Sequence, residues 1–301
     1  MKIKNILTIV ALTALVASVT GCGKTASDTS EAVSTETAQA EETKADAEEA
    51  SIEEATTQEA KAEETKDLYD EIIERGVIRV GTEGTYAPNT YHDENDNLVG
   101  FDVEVAAVIA KNIGVEVEYV ETEWSSIFAS LDAGTIDIVV NEVGYNEERA
   151  EKYDFSKPYS FVQKAILVRG DNEDIASLDD IAGKVAANES TSLLGALALE
   201  KGAELDPVNE MAQSISEVLN GRADLTLNYL TAFNDYVNQH PEEDVKVITV
   251  GDPEPTSYVP VVKGNDKLVA AIDEALANAK ESGELAEISI KYYGIDVTSE
   301  K

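Results

Sequence analysis

Short apolar stretches alternate with stretches of helical spacing along most of this chain, and this alternation limits its fold more than any other feature. In the first half the order is strand, helix, strand, helix, strand, at 77–81, 101–113, 115–120, 127–133 and 136–140. A short helix that ends at Gly76 precedes the series. Strands joined through helices run parallel and cross over with one hand, so the pattern predicts an α/β fold with mainly parallel sheets.

The same alternation returns in the second half of the chain. Strand patterns lie at 184–187, 224–227, 245–250 and 259–262, and helical patterns lie at 192–201, 215–219, 266–281 and 285–293. The stretch 82–100, between the first strand and the first long helix, is predicted as a turn-rich loop. Two such series predict two α/β lobes. Ligands of such sheets bind beyond the carboxyl ends of the strands, which is where candidate site residues belong.

The first residues have the pattern of an export signal. Lys2 and Lys4 precede an apolar run at 6–19, and small residues lead from it to Cys22, the single cysteine of the sequence. The run is too short to cross about 30 Å of hydrocarbon. It resembles a bacterial lipoprotein signal, which implies a signal peptide over 1–21 and a lipid attached to Cys22. A plain secretory signal with an incidental cysteine is the alternative.

The segment 22–66 that follows is predicted to be a disordered acidic tether. It has no aromatic residue and no proline, and its acidic residues outnumber its lysines. The whole sequence has a formal net charge of −37, which disfavours nucleic-acid binding and electrostatic binding to anionic lipid. One cysteine excludes a disulfide framework, so the fold is expected to rely on core packing.

Three segments carry a resemblance to a known family. They are GTEGTYAP at 81–88 with LVGFD at 98–102, IDIVVNEV at 136–143 with YDFSKPY at 153–159, and SGELAEISIKYYG at 282–294. In this order and spacing they resemble the extracytoplasmic solute-binding proteins of polar amino-acid ABC importers, over about 70–295. The first two segments look most like the cystine-binding branch.

The resemblance implies a two-lobed periplasmic-binding-protein-like fold whose lobes are joined by two hinge segments. Mapped on this sequence, the first lobe is 67–165 plus 257–301 and the second lobe is 168–255. The ligand lies between the lobes, which close on it by hinge bending. The implied protein is a monomer that needs no cofactor and no metal, and it is not an enzyme.

The resemblance also implies a set of ligand-binding residues: Glu83, Tyr86, Trp124, Asn141, Glu142, Gly144, Arg149, Ser190, Thr191, Ser192, Asn228 and Tyr229. Arg149 matches the arginine that binds the ligand α-carboxylate through two parallel charge-assisted bonds, which a lysine does not reproduce. Its alternative role is an ion pair with a neighbouring acid at a solvated helix start. Trp124 and Tyr86 match aromatic walls of the site, although the only tryptophan also suits a lobe core.

The remaining candidates each have an ordinary structural role as the alternative. Glu83 either contacts the ligand side chain or is a solvated loop acid. Asn141, Glu142 and Gly144 stand where many relatives carry serines, so hydroxyl contacts are lost there while backbone contacts remain. The Ser190–Ser192 segment opens a helix, where hydroxyls and free amides suit an anion or simply cap the helix.

The largest departure from the family pattern is at Asn228 and Tyr229. Relatives usually carry an aspartate at the position of Tyr229, and it pairs with the ligand α-ammonium. A tyrosine supplies no negative charge near neutral pH. We therefore hypothesise that Glu142 provides the missing anion from the opposite lobe.

The charge of this set indicates the ligand class. One cation and up to two acids fit a zwitterion with an extra amine, which favours cystine, leaves lysine and arginine open, and disfavours glutamate. The expected partners are an ABC permease and a separate ATPase, because the sequence has no Walker-type phosphate loop. The expected location is the outer face of the bacterial cell membrane, through the acyl anchor.

Two other classes remain open. One is a secreted dehydratase of the same fold, with Glu142 or Glu83 as acid or base. The two histidines, His92 and His240, have no plausible catalytic or metal-binding neighbour in the sequence. The other class is a ligand-sensing module. Such sensors usually continue into a transmembrane helix and a signalling domain, which this sequence does not show before Lys301.

Overall fold

The computed structural model describes residues 67–300, so the predicted signal peptide, Cys22 and the tether lie outside the described residues. The first part forms α1 (Leu68–Arg75), β1 (Val77–Thr82), β2 (Thr85–Tyr86), β3 (Thr90–His92), β4 (Leu98–Val99), α2 (Phe101–Ile113), β5 (Glu116–Glu121), α3 (Trp124–Asp132), β6 (Ile138–Val139), α4 (Glu147–Ala150) and β7 (Tyr153–Phe155). The second part forms β8 (Ser160–Arg169), β9 (Val185–Asn188), α5 (Leu193–Glu200), β10 (Glu204–Pro207), α6 (Met211–Leu219), β11 (Leu225–Tyr229), α7 (Leu230–Gln239), β12 (Val245–Ser257), β13 (Pro260–Val262), α8 (Asp266–Ser282) and α9 (Glu284–Tyr293).

The first lobe is built on a parallel sheet with the order β5-β1-β6. Its strands are short and apolar, and α2 and α8 cover them because both helices present one apolar face. Ile78, Ile109 and Ile272 are fully buried in this core. Burial of each such side chain stabilises the lobe by about 1.5–3 kcal/mol. The paired strands β7 and β13 belong to the same lobe.

The second lobe contains a five-stranded sheet with the order β10-β9-β11-β8-β12. β8 runs antiparallel to both of its neighbours, whereas β9 is parallel to β10 and to β11. The prediction of mainly parallel strands is therefore wrong for β8, because this strand enters the lobe from the other one and not through a helical crossover. Ile166, Leu225 and Phe233 are fully buried in the cores on the two faces of the sheet.

Two long strands connect the lobes. β8 leads from the first lobe into the second and β12 leads back, and the two pair antiparallel down to Ser160 and Ser257, with irregularities on either side of Pro255. At this crossing the Ser160 hydroxyl lies 2.8 Å from the Thr256 hydroxyl and 2.5 Å from the Ser257 hydroxyl, and all three residues are buried. The predicted two-lobed α/β fold with two hinge segments is confirmed. The exact lobe boundaries stay a prediction, and they fall within or at the ends of β8 and β12.

Most predicted elements are present, and the stretch 82–100 is one of the exceptions. α1 and α2 end at Gly76 and Gly114, whose φ angles of 73° and 89° are left-handed and suit glycine. The stretch 82–100 is not a plain loop, because β2, β3 and β4 form an antiparallel sheet within it. Within residues 67–300, no helix combines the length and the hydropathy that a bilayer crossing requires.

Candidate functional site

A cavity of about 600 Å³, counted up to its open mouth, lies between the lobes where their parallel strands end. Glu83 follows β1, Asn141 follows β6, Asn188 ends β9 and Tyr229 ends β11. Each strand is held in place by its apolar side chains, so a polar residue at or just beyond its carboxyl end has a rigid support.

The structure brings together ten of the twelve predicted ligand-binding residues around this cavity: Glu83, Tyr86, Trp124, Asn141, Glu142, Gly144, Arg149, Ser192, Asn228 and Tyr229. Ser190 and Thr191 are exposed and do not line it. The sequence interpretation missed seven lining residues: Asn188, Glu189, Leu193, Leu194, Met211, Ser214 and Leu227. All seven come from the second lobe, and Glu189 and Leu193 directly flank the Ser190–Ser192 segment that the sequence indicated.

Arg149 contributes the positive charge of the cavity. Its Nη1 donates to the Gly144 carbonyl at 2.8 Å and its Nη2 donates across the cleft to the Thr191 carbonyl at 3.1 Å. The guanidinium carbon lies 5.3 Å from the Trp124 ring centroid and 5.0 Å from that of Phe128. Burial lowers the pKa of Arg149 from its usual value. None of the ion pairs within residues 67–300 involves Arg149, so the predicted alternative of a neighbouring acid partner is not what the structure shows.

Tyr86, Glu142 and Asn228 form a hydrogen-bonded chain that spans the cleft. The Tyr86 hydroxyl lies 2.5 Å from Glu142 Oε2 and 2.6 Å from Asn228 Oδ1. Asn228 Oδ1 also accepts from the Tyr229 amide at 2.8 Å, so it acts as an acceptor. Since a tyrosine has one hydroxyl proton, it cannot donate to both oxygens. Both contacts are satisfied when the Glu142 carboxyl carries a proton, and burial raises the pKa of this carboxyl to about 8.

Glu142 is held in an unusual backbone conformation by a buried acid. Its φ angle is 47°, in the left-handed region that residues other than glycine rarely adopt. Its amide donates to Asp102 Oδ2 at 2.6 Å, and the Tyr159 hydroxyl donates to Asp102 Oδ1 at 2.8 Å. Burial raises the pKa of Asp102 to about 7. Glu142 Oε2 also accepts from Asn89 at 2.9 Å, whereas the buried Oε1 has no partner among the described residues. Such local strain is typical of functional sites.

Asn141 positions Glu83. The Glu83 amide donates to Asn141 Oδ1 at 2.8 Å, and Asn141 Nδ2 donates to Glu83 Oε2 at 2.6 Å. Burial raises the pKa of Glu83 to about 7, although the Asn141 bond opposes the shift. Asn141 thus holds the acid at the cavity wall. The side-chain amide of Asn141 is therefore engaged in hydrogen bonds within the first lobe.

Glu189 lines the cavity from the second lobe. Burial, with the charge of Glu83 as the next contribution, raises its pKa to about 8. Ser192, three residues later, caps α5, since its Oγ accepts from the Gly195 amide at 2.9 Å and donates to the Glu189 carbonyl at 2.9 Å. The N-cap role that the sequence left open for Ser192 is therefore present. Its hydroxyl still borders the cavity.

Gly144 lies directly against the second lobe at the cavity. A β-carbon at this position would lie 2.6 Å from Leu193 Cδ1 of the second lobe and 3.7 Å from the Tyr229 hydroxyl. Together with the Arg149–Thr191 and Tyr86–Asn228 bonds, this approach shows the lobes in direct contact around the cavity. Within residues 67–300, no group of three His, Cys, Asp or Glu side chains is arranged to hold a metal ion.

Comparisons with known proteins agree with this architecture. The family model of the bacterial extracellular solute-binding proteins, family 3, matches residues 78–295. The L-cystine-binding protein TcyA of Bacillus subtilis (strain 168) is 40% identical over 234 residues, which cover 77% of this chain and 87% of that relative.

Two solved structures show the same fold. The L-cystine solute receptor of Neisseria gonorrhoeae in the unliganded open conformation is 38% identical, covers 76% of this chain and 99% of its own, and gives a TM-score of 0.54. An ancestral arginine-binding protein bound to glutamine is 33% identical, covers 73% of this chain and 99% of its own, and gives 0.70. The overall arrangement of this chain is thus nearer to the ligand-bound neighbour, although the open one has the more similar sequence.

Proposed function

This chain belongs to family 3 of the bacterial extracellular solute-binding proteins, and from that premise we propose that it captures a free amino acid, L-cystine in particular, for an ABC importer. The observation that carries the proposal is the half-buried Arg149 guanidinium, which lines the cavity and forms no ion pair within residues 67–300, although the charge of Glu148 acts on it from a distance. An unneutralised cation away from bulk water is costly unless an anion arrives. The α-carboxylate of an amino acid is an anion of the right geometry for it.

The α-ammonium of the ligand needs an anion, and Glu142 remains our candidate for it. Glu142 lines the same cavity, and its buried Oε1 has no hydrogen-bond partner within residues 67–300. Tyr229 stands where relatives carry an aspartate, and burial keeps its pKa above the usual value, so it supplies no charge. A bound ammonium would favour the ionised form of Glu142, which burial disfavours in the empty cleft.

L-cystine is the favoured ligand for two reasons. Relatives with 34–40% identity are named L-cystine-binding proteins. The cavity also carries three glutamates against one arginine among its described lining residues, a balance that suits a ligand with more than one ammonium group. Lysine and arginine share part of this property, whereas glutamate does not.

Isothermal titration of the folded part with L-cystine, L-arginine, L-lysine, L-glutamine and L-glutamate tests the proposal. We expect saturable binding of one cystine per chain and no detectable glutamate binding. Tight glutamate binding would contradict the charge argument. Absence of binding for every amino acid would contradict the function itself. Mass spectrometry of ligand released from freshly purified protein provides an independent identification.

We also propose that the cleft binds its ligand without turnover. Neither His92 nor His240 lines the cavity, and its three glutamates are all buried to a degree that raises their pKa values. The alternative is a dehydratase, which needs an acid or base that changes protonation during each cycle. Glu142 is the residue that would have this role. Incubation with a prephenate-like acid is expected to leave the substrate unchanged, and steady product formation would favour the enzyme.

The remaining parts of the proposal concern the cellular setting. We propose that lipidated Cys22 anchors the protein to the outer face of the bacterial membrane through the acidic tether, and that it delivers its ligand as a monomer to a permease with a separate ATPase. The family description supports an extracellular location. Light scattering of the folded part tests the monomer, and reconstituted uptake with and without the protein tests delivery.

A further inference from the structure

Two acids face the cavity from opposite lobes without a cation between them. Glu83 follows β1 of the first lobe, and Glu189 follows β9 of the second. Neither carboxylate takes part in an ion pair within residues 67–300, and the Glu83 charge raises the pKa of Glu189, so the two are close enough to influence each other. Like charges at a closing interface oppose closure unless a cation lies between them.

The same cavity holds further polar atoms that lack partners. Trp124 Nε1 and Glu142 Oε1 are buried without a hydrogen bond in the described part of the chain, and their residues are only 8% and 6% exposed. Both residues line the cavity. A buried donor or acceptor without a partner costs about 1–3 kcal/mol. The cavity is therefore shaped for a polar occupant that satisfies these groups.

Building on the proposed function, we propose that Glu83 and Glu189 together form a subsite for a second ammonium group of the ligand, one acid from each lobe. Arg149 and Glu142 bind the α-carboxylate and the α-ammonium at one end of the ligand. Glu83 and Glu189 bind the ammonium group at the other end. The site therefore selects ligands of one chemical class, amino acids that carry a cation far from the α-carbon. L-cystine, with an ammonium at each end, belongs to this class and L-glutamine does not.

Because Glu83 and Glu189 belong to opposite lobes, the selection of ligands by this pair is coupled to lobe closure. In the closed arrangement, a second cation of the ligand that reaches both acids stabilises their ionised forms through charge-assisted contacts. A ligand without that cation leaves the two acids buried and largely protonated near neutral pH, and gains no such contact. A ligand shifts an equilibrium only through its differential affinity for the two states. Here the differential contact is the one to Glu189, because this residue approaches the first-lobe acid only when the lobes meet.

The charged and titratable groups around the pair determine its protonation. The exposed Glu210 at the start of α6 adds to the pKa shifts of both acids, after burial, which is the main cause. Glu142, Tyr86, Tyr229 and Arg149 are the other titratable groups that line the cavity. The pKa values of about 7 and about 8 mean that the empty pair holds protons at neutral pH. A bound ammonium therefore displaces about one proton from the pair at pH 7.

A pair of matched ligands tests the subsite directly. L-cystine is compared with the mixed disulfide of L-cysteine and 3-mercaptopropionate, which keeps the disulfide and both carboxylates but lacks one ammonium. Both are titrated at pH 8 into the wild type, Glu189→Gln, Glu83→Gln and the exposed-charge control Glu210→Gln. Repeating the cystine titrations at pH 7 in buffers of different ionisation enthalpy gives the number of protons released.

We expect the wild type to bind cystine about 10- to 100-fold more tightly than the mixed disulfide. In Glu189→Gln the preference is expected to fall to within about threefold, and proton release to fall by about one. Glu210→Gln is expected to retain the preference within about twofold, as exposed charges contribute little. If Glu83→Gln fails to fold because its amide group cannot accept from both Asn141 and the Trp124 backbone, Glu189→Gln carries the test, since the Glu189 side chain has no hydrogen-bond partner within residues 67–300.

The outcomes separate this inference from the proposed function. Equal binding of the two ligands by the wild type overturns the subsite and leaves amino-acid capture intact. An unchanged preference in Glu189→Gln also overturns it. Failure of the wild type to bind either ligand overturns the proposed function, and the subsite with it.

Discussion

Replacement of Arg149 by methionine is expected to abolish ligand binding while leaving the empty protein as stable as before. Methionine is unbranched, and its thioether makes favourable contacts with aromatic rings, so it suits the position beside the Trp124 and Phe128 rings where the guanidinium carbon now lies. The variant thus removes the positive charge and the parallel N–H donors of the guanidinium with little loss of packing. Arg149→Lys is the matched variant that keeps the charge and removes only the fork.

The binding loss follows from the burial of the ligand carboxylate. An anion left without its partner in a closed cleft costs about 3–5 kcal/mol, which corresponds to roughly a 150- to 4,000-fold weaker affinity. Arg149→Lys is expected to lose less, since a point charge remains. In the empty protein the lost bonds to the Gly144 and Thr191 carbonyls and the lost ring contacts are offset by removal of a desolvated charge. We expect the free energy of unfolding to change by no more than about 1 kcal/mol.

Titration calorimetry and thermal unfolding with and without cystine give the two quantities. At a ligand concentration of 100 times the wild-type Kd, the wild type gains about 2.7 kcal/mol, which raises Tm by several degrees, and the methionine variant gains at most about 0.3 kcal/mol. Cystine affinity within tenfold of the wild type would refute the assignment of Arg149. A large loss of stability in the empty variant would instead assign the arginine to the fold.

Three further predictions concern closure, protonation and anchoring. Gly144→Ala places a methyl group 2.6 Å from Leu193 Cδ1 and is expected to weaken binding about 5- to 30-fold through overpacking. Adding Leu193→Ala should restore at least half of that loss in free energy, and no recovery would contradict a closed-state contact. The pKa values of Glu142 and Asp102, about 8 and about 7, exceed those of exposed acids, so the folded state binds more protons than the unfolded state between about pH 4 and 8. Stability of the empty protein should therefore fall as pH rises through that window, with a smaller slope in Glu142→Gln measured by thermal unfolding; an equal slope argues against it. Cys22→Ala is expected to move the protein from the membrane fraction to the soluble extracytoplasmic fraction, and retention at the membrane would contradict lipid anchoring.

The sequence predicted the elements that local pattern determines. Gly76 and Gly114 mark helix ends because a left-handed residue is needed there, and apolar spacing gave α2 and α8 nearly to the residue. It missed α7, which begins directly after β11 at Tyr229 without a side-chain cap. It also missed β8, because nothing local distinguishes a strand that crosses between lobes from one that follows a helix.

The candidate site could be predicted as far as the family motifs extend. Those motifs identified Arg149 and Glu142, and the strand ends brought them to one cavity. Glu189 was missed because a single loop acid does not stand out among 60 acidic residues. Its position becomes informative only when the lobes meet, since the Glu83 carboxylate that faces it is about a hundred positions away in the chain. Ser190, its neighbour in the sequence, is exposed instead.

The hydroxyl cluster of Ser160, Thr256 and Ser257 bears on how freely the lobes can turn. A hydroxyl hydrogen rotates about its C–O bond, and the oxygen both donates and accepts. The two strands can therefore twist against each other while each hydroxyl oxygen exchanges one hydrogen-bond partner for another. No hydroxyl of this cluster is left without a hydrogen bond during the movement. Resistance to opening then arises from the contacts across the cleft, which are those of the bound ligand together with the Arg149–Thr191 and Tyr86–Asn228 bonds. The residence time of the ligand therefore reports these contacts and not the stiffness of the two connecting strands.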